Sequence, residues 1–97
     1  MERVETGMFA RSKAGHDKGK LYIILRTESE YVYLTDGKLR PMANPKKKKI
    51  KHLVAKPEIL EEIREKIFAK KRIFDSEVRN KLDAIGYQEA LLPRKEG

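Results

Sequence analysis

A mainly β fold with an α-helical C-terminal appendage is predicted by three features of the sequence. Up to Val54 the apolar residues come in short runs broken by turn residues, and after Lys56 they change to helical spacing. The charge divides at the same place. Residues 1–56 hold 14 Lys/Arg against 6 Asp/Glu, whereas residues 57–97 hold 9 of each, so the net charge of +8 belongs entirely to the first part. The expected organisation is a basic β domain over residues 1–56 and an amphipathic helical segment over residues 57–97.

Five strands are expected, over residues 8–11, 21–26, 31–35, 38–42 and 50–54. Leu21-Tyr22-Ile23-Ile24-Leu25 is apolar on both faces and predicts a strand covered on both sides. Tyr31-Val32-Tyr33-Leu34 alternates, so its two tyrosines share one face. Asp36-Gly37 predicts a two-residue hairpin into residues 38–42, because both central turn positions need positive φ, which Gly adopts freely and Asp tolerates. A sheet this short cannot otherwise hide its edges, so closure into a small SH3-like barrel is expected.

Pro57 suits a first helical position, with Glu58, Glu61 and Glu62 near the positive helix start and Lys70, Lys71 and Arg72 at the other end. Ile59, Leu60, Ile63, Ile67 and Phe68 make an apolar stripe, which predicts a helix over residues 57–71 with Glu62 and Lys66 paired across one turn. Asp75-Ser76 signals a second start, Val78, Leu82 and Ile85 follow at helical spacing, and Gly86 stands where a left-handed residue would end the helix. Residues 87–97 are expected to be poorly ordered unless Leu91 and Leu92 dock.

Composition excludes several functions. A chain of 97 residues has a modest core and little room for a deep catalytic pocket. With no cysteine there are no disulfides, thiolate metal sites or thiol nucleophiles. His16 and His52 are the only histidines, and neither stands in a recognised catalytic pattern. No enzyme activity, cofactor or metal is expected. His52 shares an expected strand face with Ile50 and Val54, which points to a structural role. No apolar run approaches the ~18 residues of a membrane span, and the first residues lack the apolar stretch of a signal peptide, so a cytoplasmic protein is expected.

What the basic part does provide is an attraction for polyanions. Gly15 and Gly19 let the backbone turn sharply, with Lys13, Lys18 and Lys20 around them and His16 among them, as an anion-binding loop requires. The alternative is a hairpin loop whose glycines solve only a turn problem. Lys46-Lys47-Lys48-Lys49, with Lys51 beyond, form the densest charge; they are either phosphate contacts or a lysine-protected sheet edge. Arg40 leads Arg11 and Arg26 as a further phosphate partner, because it neighbours the expected hairpin. Tyr31 and Tyr33 either offer ring faces for stacking on bases or seat the first helix.

The pattern Gly15-x-x-Lys18-Gly19-Lys20, with alternating apolar residues on either side, resembles the KOW motif of ribosomal and transcription-factor RNA-binding proteins. Gly19-Lys20-Leu21-Tyr22-Ile23-Ile24, Asp36-Gly37 and Lys51-His52-Leu53 make residues 7–54 similar to the KOW-containing large-subunit ribosomal proteins of archaea and eukaryotes. The resemblance implies an SH3-like barrel and a noncatalytic, ribosome-associated role. Its implied partner is ribosomal RNA of the large subunit. The helical segment lies outside the motif and is expected to brace the barrel or touch a neighbouring ribosomal protein. A monomer is favoured, because covering its own barrel is the simpler use of the apolar stripe. The alternative is a protein-interaction adaptor of the transcription or translation machinery that uses the barrel and the amphipathic helices, through residues such as Ile63, Ile67 and Val78.

Overall fold

The computed structural model describes residues 4–91 of the chain. Five strands, β1 (Met8–Ser12), β2 (Leu21–Glu28), β3 (Tyr31–Thr35), β4 (Lys46–Lys49) and β5 (Leu53–Ile59), are followed by helices α1 (Glu61–Phe68) and α2 (Asp75–Leu91). The strands form one antiparallel sheet in the order β4-β3-β2-β1-β5. This is the expected architecture, a small barrel-like β domain followed by helices.

The central strand has two buried faces, as its sequence requires. Tyr22 and Ile24 point into the curl of the sheet with Met8, Ala10, Val32, Leu34 and Leu53. On the opposite face Leu21 and Ile23 pack with Phe9 against Ile63 of α1 and Val78 and Leu82 of α2, with Ile73 between the helices. The helices are therefore docked on the outside of the sheet; of the expected stripe Leu60, Ile63 and Ile67 pack there, whereas Ile59 lies in β5 against the inner core and Phe68 is 63% exposed. Each fully buried aliphatic side chain of this second core contributes on the order of 1.5–3 kcal/mol.

A bulge in β2 confines the helices to half of that face. The β2–β3 register shifts between Ile24 and Arg26, so that Arg26 lies opposite Tyr33 and Glu28 opposite Tyr31. The extra residue, Leu25, changes which side of the strand faces out. Apolar Leu21 and Ile23 lie outward before it, and charged Arg26 and Glu28 lie outward after it.

Several elements depart from the sequence expectation. Residues 38–42 form no strand. Asp36 Oδ1 accepts the backbone N–H of Lys38 at 2.8 Å and of Arg40 at 2.9 Å, which coils the chain after β3 instead of returning it as a hairpin. That loop is held from a distance. Met42 N–H donates to Asp75 Oδ1 at 2.7 Å, and Arg79 donates to the Gly37 carbonyl at 2.9 Å. Gly37 has φ +72°, and a Cβ there would lie 2.4 Å from the Asp75 carbonyl oxygen, so glycine lets the loop touch the start of α2. The strand that returns beside β3 is the lysine run itself.

The expected strand over residues 50–54 is interrupted, because Ile50–His52 form a 3₁₀ turn. Ile50 packs against the inner core while Val54 is exposed, so His52 does not share a continuous strand face with them. Pro57 does not open a helix. It lies inside β5, which among the described residues is an edge strand paired only with β1, where a missing N–H is tolerated. Glu62 and Lys66 turn from each other to α2: Lys81 reaches Glu62 at 2.9 Å, and Lys66 pairs with Glu77. Gly86 lies within α2, which runs on to Leu91; Arg11 of β1 pairs with Glu89 in that added stretch. Of the tail expected to be loose, residues 87–91 are thus helical and residues 92–97, including Leu92, lie outside the described residues.

Candidate nucleic-acid interface

The four consecutive lysines of β4 obey the two-residue period of a strand, and that period divides their work. Tyr31 pairs with Lys49, Val32 with Lys48, Tyr33 with Lys47 and Leu34 with Lys46. Lys46 and Lys48 therefore follow the inward residues Val32 and Leu34, while Lys47 and Lys49 follow the outward tyrosines.

The inward pair converges on one carboxylate. Asp17, 7% exposed, accepts Lys46 Nζ at 2.8 Å on Oδ2 and Lys48 Nζ at 2.7 Å on Oδ1. Ser12 Oγ donates to Oδ1 at 2.9 Å and the Tyr22 hydroxyl to Oδ2 at 3.0 Å. Lys48 also donates to Ser12 Oγ at 2.7 Å and to the Ala14 carbonyl at 3.0 Å. Burial alone would raise the Asp17 carboxyl, but the hydrogen bonds from Lys46, Lys48, Ser12 and Tyr22 overcome it and hold the group well below the usual carboxylate range. Burial, with the hydrogen bond to Asp17 and its negative charge, pushes the Tyr22 phenol up. The network ties edge strand β4 to the loop between β1 and β2.

The same loop is folded back on itself. Lys20 N–H donates to the Asp17 carbonyl at 2.9 Å, and Gly19 N–H donates to the Ser12 carbonyl at 2.7 Å. Gly19 sits at φ +91° in the third position of that turn, a conformation glycine accepts without strain. The Gly19 N–H is thus spent within the fold, and the loop presents its side chains to the outside. Lys13, His16, Lys18 and Lys20 are all exposed. Lys13 N–H donates to the His52 carbonyl at 2.9 Å, which brings the loop against the 3₁₀ turn that carries exposed Lys51.

Around the edge of β4 the outward residues make a second basic surface. Lys47 Nζ lies 4.6 Å from the centre of the Tyr31 ring, Arg26 lies over Tyr33 at 4.0 Å, and Lys49 approaches Tyr31 at 5.9 Å. Glu28 is the acid within this ladder, 3.9 Å from Lys47 and accepting the Tyr33 hydroxyl at 3.3 Å. The tyrosines do not seat a helix; cations flank their rings.

Of the sequence-predicted site residues, the fold brings Lys13, Gly15, His16, Lys18, Gly19, Lys20 and Lys51 to one end of the barrel and Tyr31, Tyr33, Lys47 and Lys49 to the adjoining sheet face. It turns Lys46 and Lys48 inward. Arg40 stands on the β3–β4 connection, where its carbonyl accepts the Thr35 hydroxyl at 2.7 Å. Among the described residues, no carboxylate lies within ion-pair distance of Lys13, Lys18, Lys20, Lys49 or Lys51. Sequence reasoning missed Asp17 and gave Arg26 a lesser place than Arg40. The signal for Asp17 was a lone acid inside a basic loop, five residues before a tyrosine in a strand otherwise apolar. No known protein family matches the chain, and no curated protein is detectably similar to it.

Proposed function

We propose that this protein is a noncatalytic RNA-binding module, ribosome-associated and cytoplasmic, that binds structured ribosomal RNA of the large subunit through phosphate contacts, as its resemblance to KOW proteins implies. The observation that carries this reading is the set Lys13, Lys18, Lys20, Lys49 and Lys51, on the loop, the outer edge of β4 and the 3₁₀ turn, which have no carboxylate within ion-pair distance among the described residues. Five such contacts would give a slope of log K against log salt of about −3.5 to −4.5, at ~0.7–0.9 per phosphate. Side chains do not read bases in the narrow major groove of A-form RNA, so phosphate and shape dominate and sequence preference is slight. The adaptor alternative loses part of its basis, because Ile63 and Val78 are fully buried against the sheet.

The test is cosedimentation with purified ribosomal subunits across a salt series, comparing the wild type with Lys47→Ala/Lys49→Ala and with Lys13→Ala/Lys18→Ala/Lys20→Ala. Wild-type binding to the large subunit, weakened in both variants at unchanged thermal stability, is expected. Variants that cosediment as well as the wild type would sink the proposal.

A further inference from the structure

A groove of about 440 Å³ opens between α2, the start of β2 and the loop that follows β3. Its apolar wall includes Leu21, Leu82 and Gly86, and Leu39 stands at the mouth with 75% of its surface exposed. Among the described residues that leucine belongs to neither core. Four cations, Arg11, Lys20, Lys38 and Arg79, line the groove against two carboxylates, Asp36 and Asp83. Both acids are engaged: Asp36 by the backbone N–H groups of Lys38 and Arg40, and Asp83 by Lys38 at 3.9 Å. The guanidinium groups are held too, Arg79 on the Gly37 carbonyl at 2.9 Å and Arg11 on the Gly19 carbonyl and Glu89.

Gly86 supplies an independent observation. It lies inside α2 without the positive φ that would call for glycine, and a Cβ there would meet only Leu21 Cδ1, at an ordinary 3.8 Å. Glycine weakens a helix interior relative to alanine. Neither backbone nor packing asks for that weakness at this position. Its effect is to leave the groove wall without a side chain.

We propose that this groove receives one unpaired nucleotide of the bound RNA, its base against Leu39, Leu21 and the guanidinium groups of Arg11 and Arg79 and its phosphate at Lys20. The inference rests on the RNA-binding reading above and deepens it. A flat base with apolar faces, joined to an anion, matches an apolar wall rimmed by cations, and unpaired bases are the ones that stack on arginine. The volume falls in the ~300–1,000 Å³ range of small-ligand sites. Lys20 belongs to both the groove and the exposed basic loop, so an RNA strand held on the loop passes directly to the mouth.

Two RNA hairpins with the same stem, one fully paired and one carrying a single bulged 2-aminopurine, test this by filter binding and fluorescence. The wild type is expected to bind the bulged hairpin about tenfold more tightly, within the range of a single stacked base. Gly86→Leu fills the groove, and it should abolish that preference and leave affinity for the paired stem unchanged. Leu39→Ser, at an exposed loop position, should reduce the preference without touching the core. Equal wild-type affinity for the two hairpins, or preference retained in both variants, overturns the groove assignment and leaves the RNA-binding reading standing. A wild type that binds neither hairpin overturns both.

Discussion

Replacing Asp17 by Asn removes one negative charge from a site where two ammonium groups converge. In the wild type its carboxylate receives Lys46 at 2.8 Å and Lys48 at 2.7 Å, and both bonds are charge-assisted. Asn keeps the shape and can still accept a hydrogen bond, but it leaves two cations facing a neutral group. The Lys48 side chain is only 10% exposed and has no easy route to water; that of Lys46, at 28%, can swing outward. Breaking a buried ion pair from one side costs ~3–5 kcal/mol, and the partial escape of Lys46 places Asp17→Asn near the lower end, about 3 kcal/mol. Domains of this size have ~5–15 kcal/mol in total. At ~4–8 °C per kcal/mol, the melting temperature should fall by roughly 12–24 °C. Urea unfolding followed by circular dichroism measures the loss, and Asp17→Asn combined with Lys48→Met should recover ~1–3 kcal/mol of it. A loss below about 1 kcal/mol for Asp17→Asn, with no recovery in the double variant, would refute the view that β4 is fastened through Asp17.

The same carboxyl sets an acid limit. Its folded-state pKa is depressed, so its stabilisation is complete above the unfolded value of ~3.9 and drains away as pH falls below it toward the folded value. Stability measured between pH 5 and pH 2 should drop less steeply in Asp17→Asn than in the wild type. Tyr22 acts in the opposite direction: its raised pKa keeps the phenol protonated above pH ~10, so ultraviolet titration should show a tyrosine that ionises only as the fold is lost. Ile63→Ala, in the core shared by helix and sheet, should cost ~2–5 kcal/mol and lower the stability of strands and helices in a single transition; a helical signal melting separately would contradict a common core. Lys47→Ala/Lys49→Ala should leave stability within about 0.5 kcal/mol and flatten the RNA-binding salt slope by ~0.7–0.9, the share of Lys49, whereas Lys48→Met should lower stability.

Local pattern carried much of this fold. The first three strands were legible because their apolar runs are short, and the doubly covered β2 was legible because Leu21 to Leu25 leaves no polar face. The failures share a different cause. Asp36-Gly37 has the chemistry of a tight hairpin, but Asp75 and Arg79, far along the chain, hold the loop in another path. Pro57 fits a helix start and an edge strand equally well, and only pairing with β1 decides between them. Gly86 reads as a stop signal, yet the helix passes through it with Glu89 paired to Arg11 beyond. In the candidate site, the exposed loop lysines followed from the sequence. The division of the lysine run did not, because strand pairing with β3 and the position of Asp17 are tertiary facts.

Four identical residues in a row make β4 a strand whose side chains cannot specify its own alignment. Strand pairing is ordinarily fixed by which positions are apolar, and a shift of one residue is penalised because it turns the wrong side chains inward. Here a shift by one would exchange one lysine for another, and the run would look the same from either side. Alignment must be imposed from its boundaries, by Ile50 seated in the inner core and by the single acid that accepts two lysines of one parity. Asp17 is in this sense a phase marker. It determines which two charges are withdrawn and which two remain outside, so that variation at Lys47 and Lys49 alters the surface while variation at Lys46 and Lys48 alters the fold.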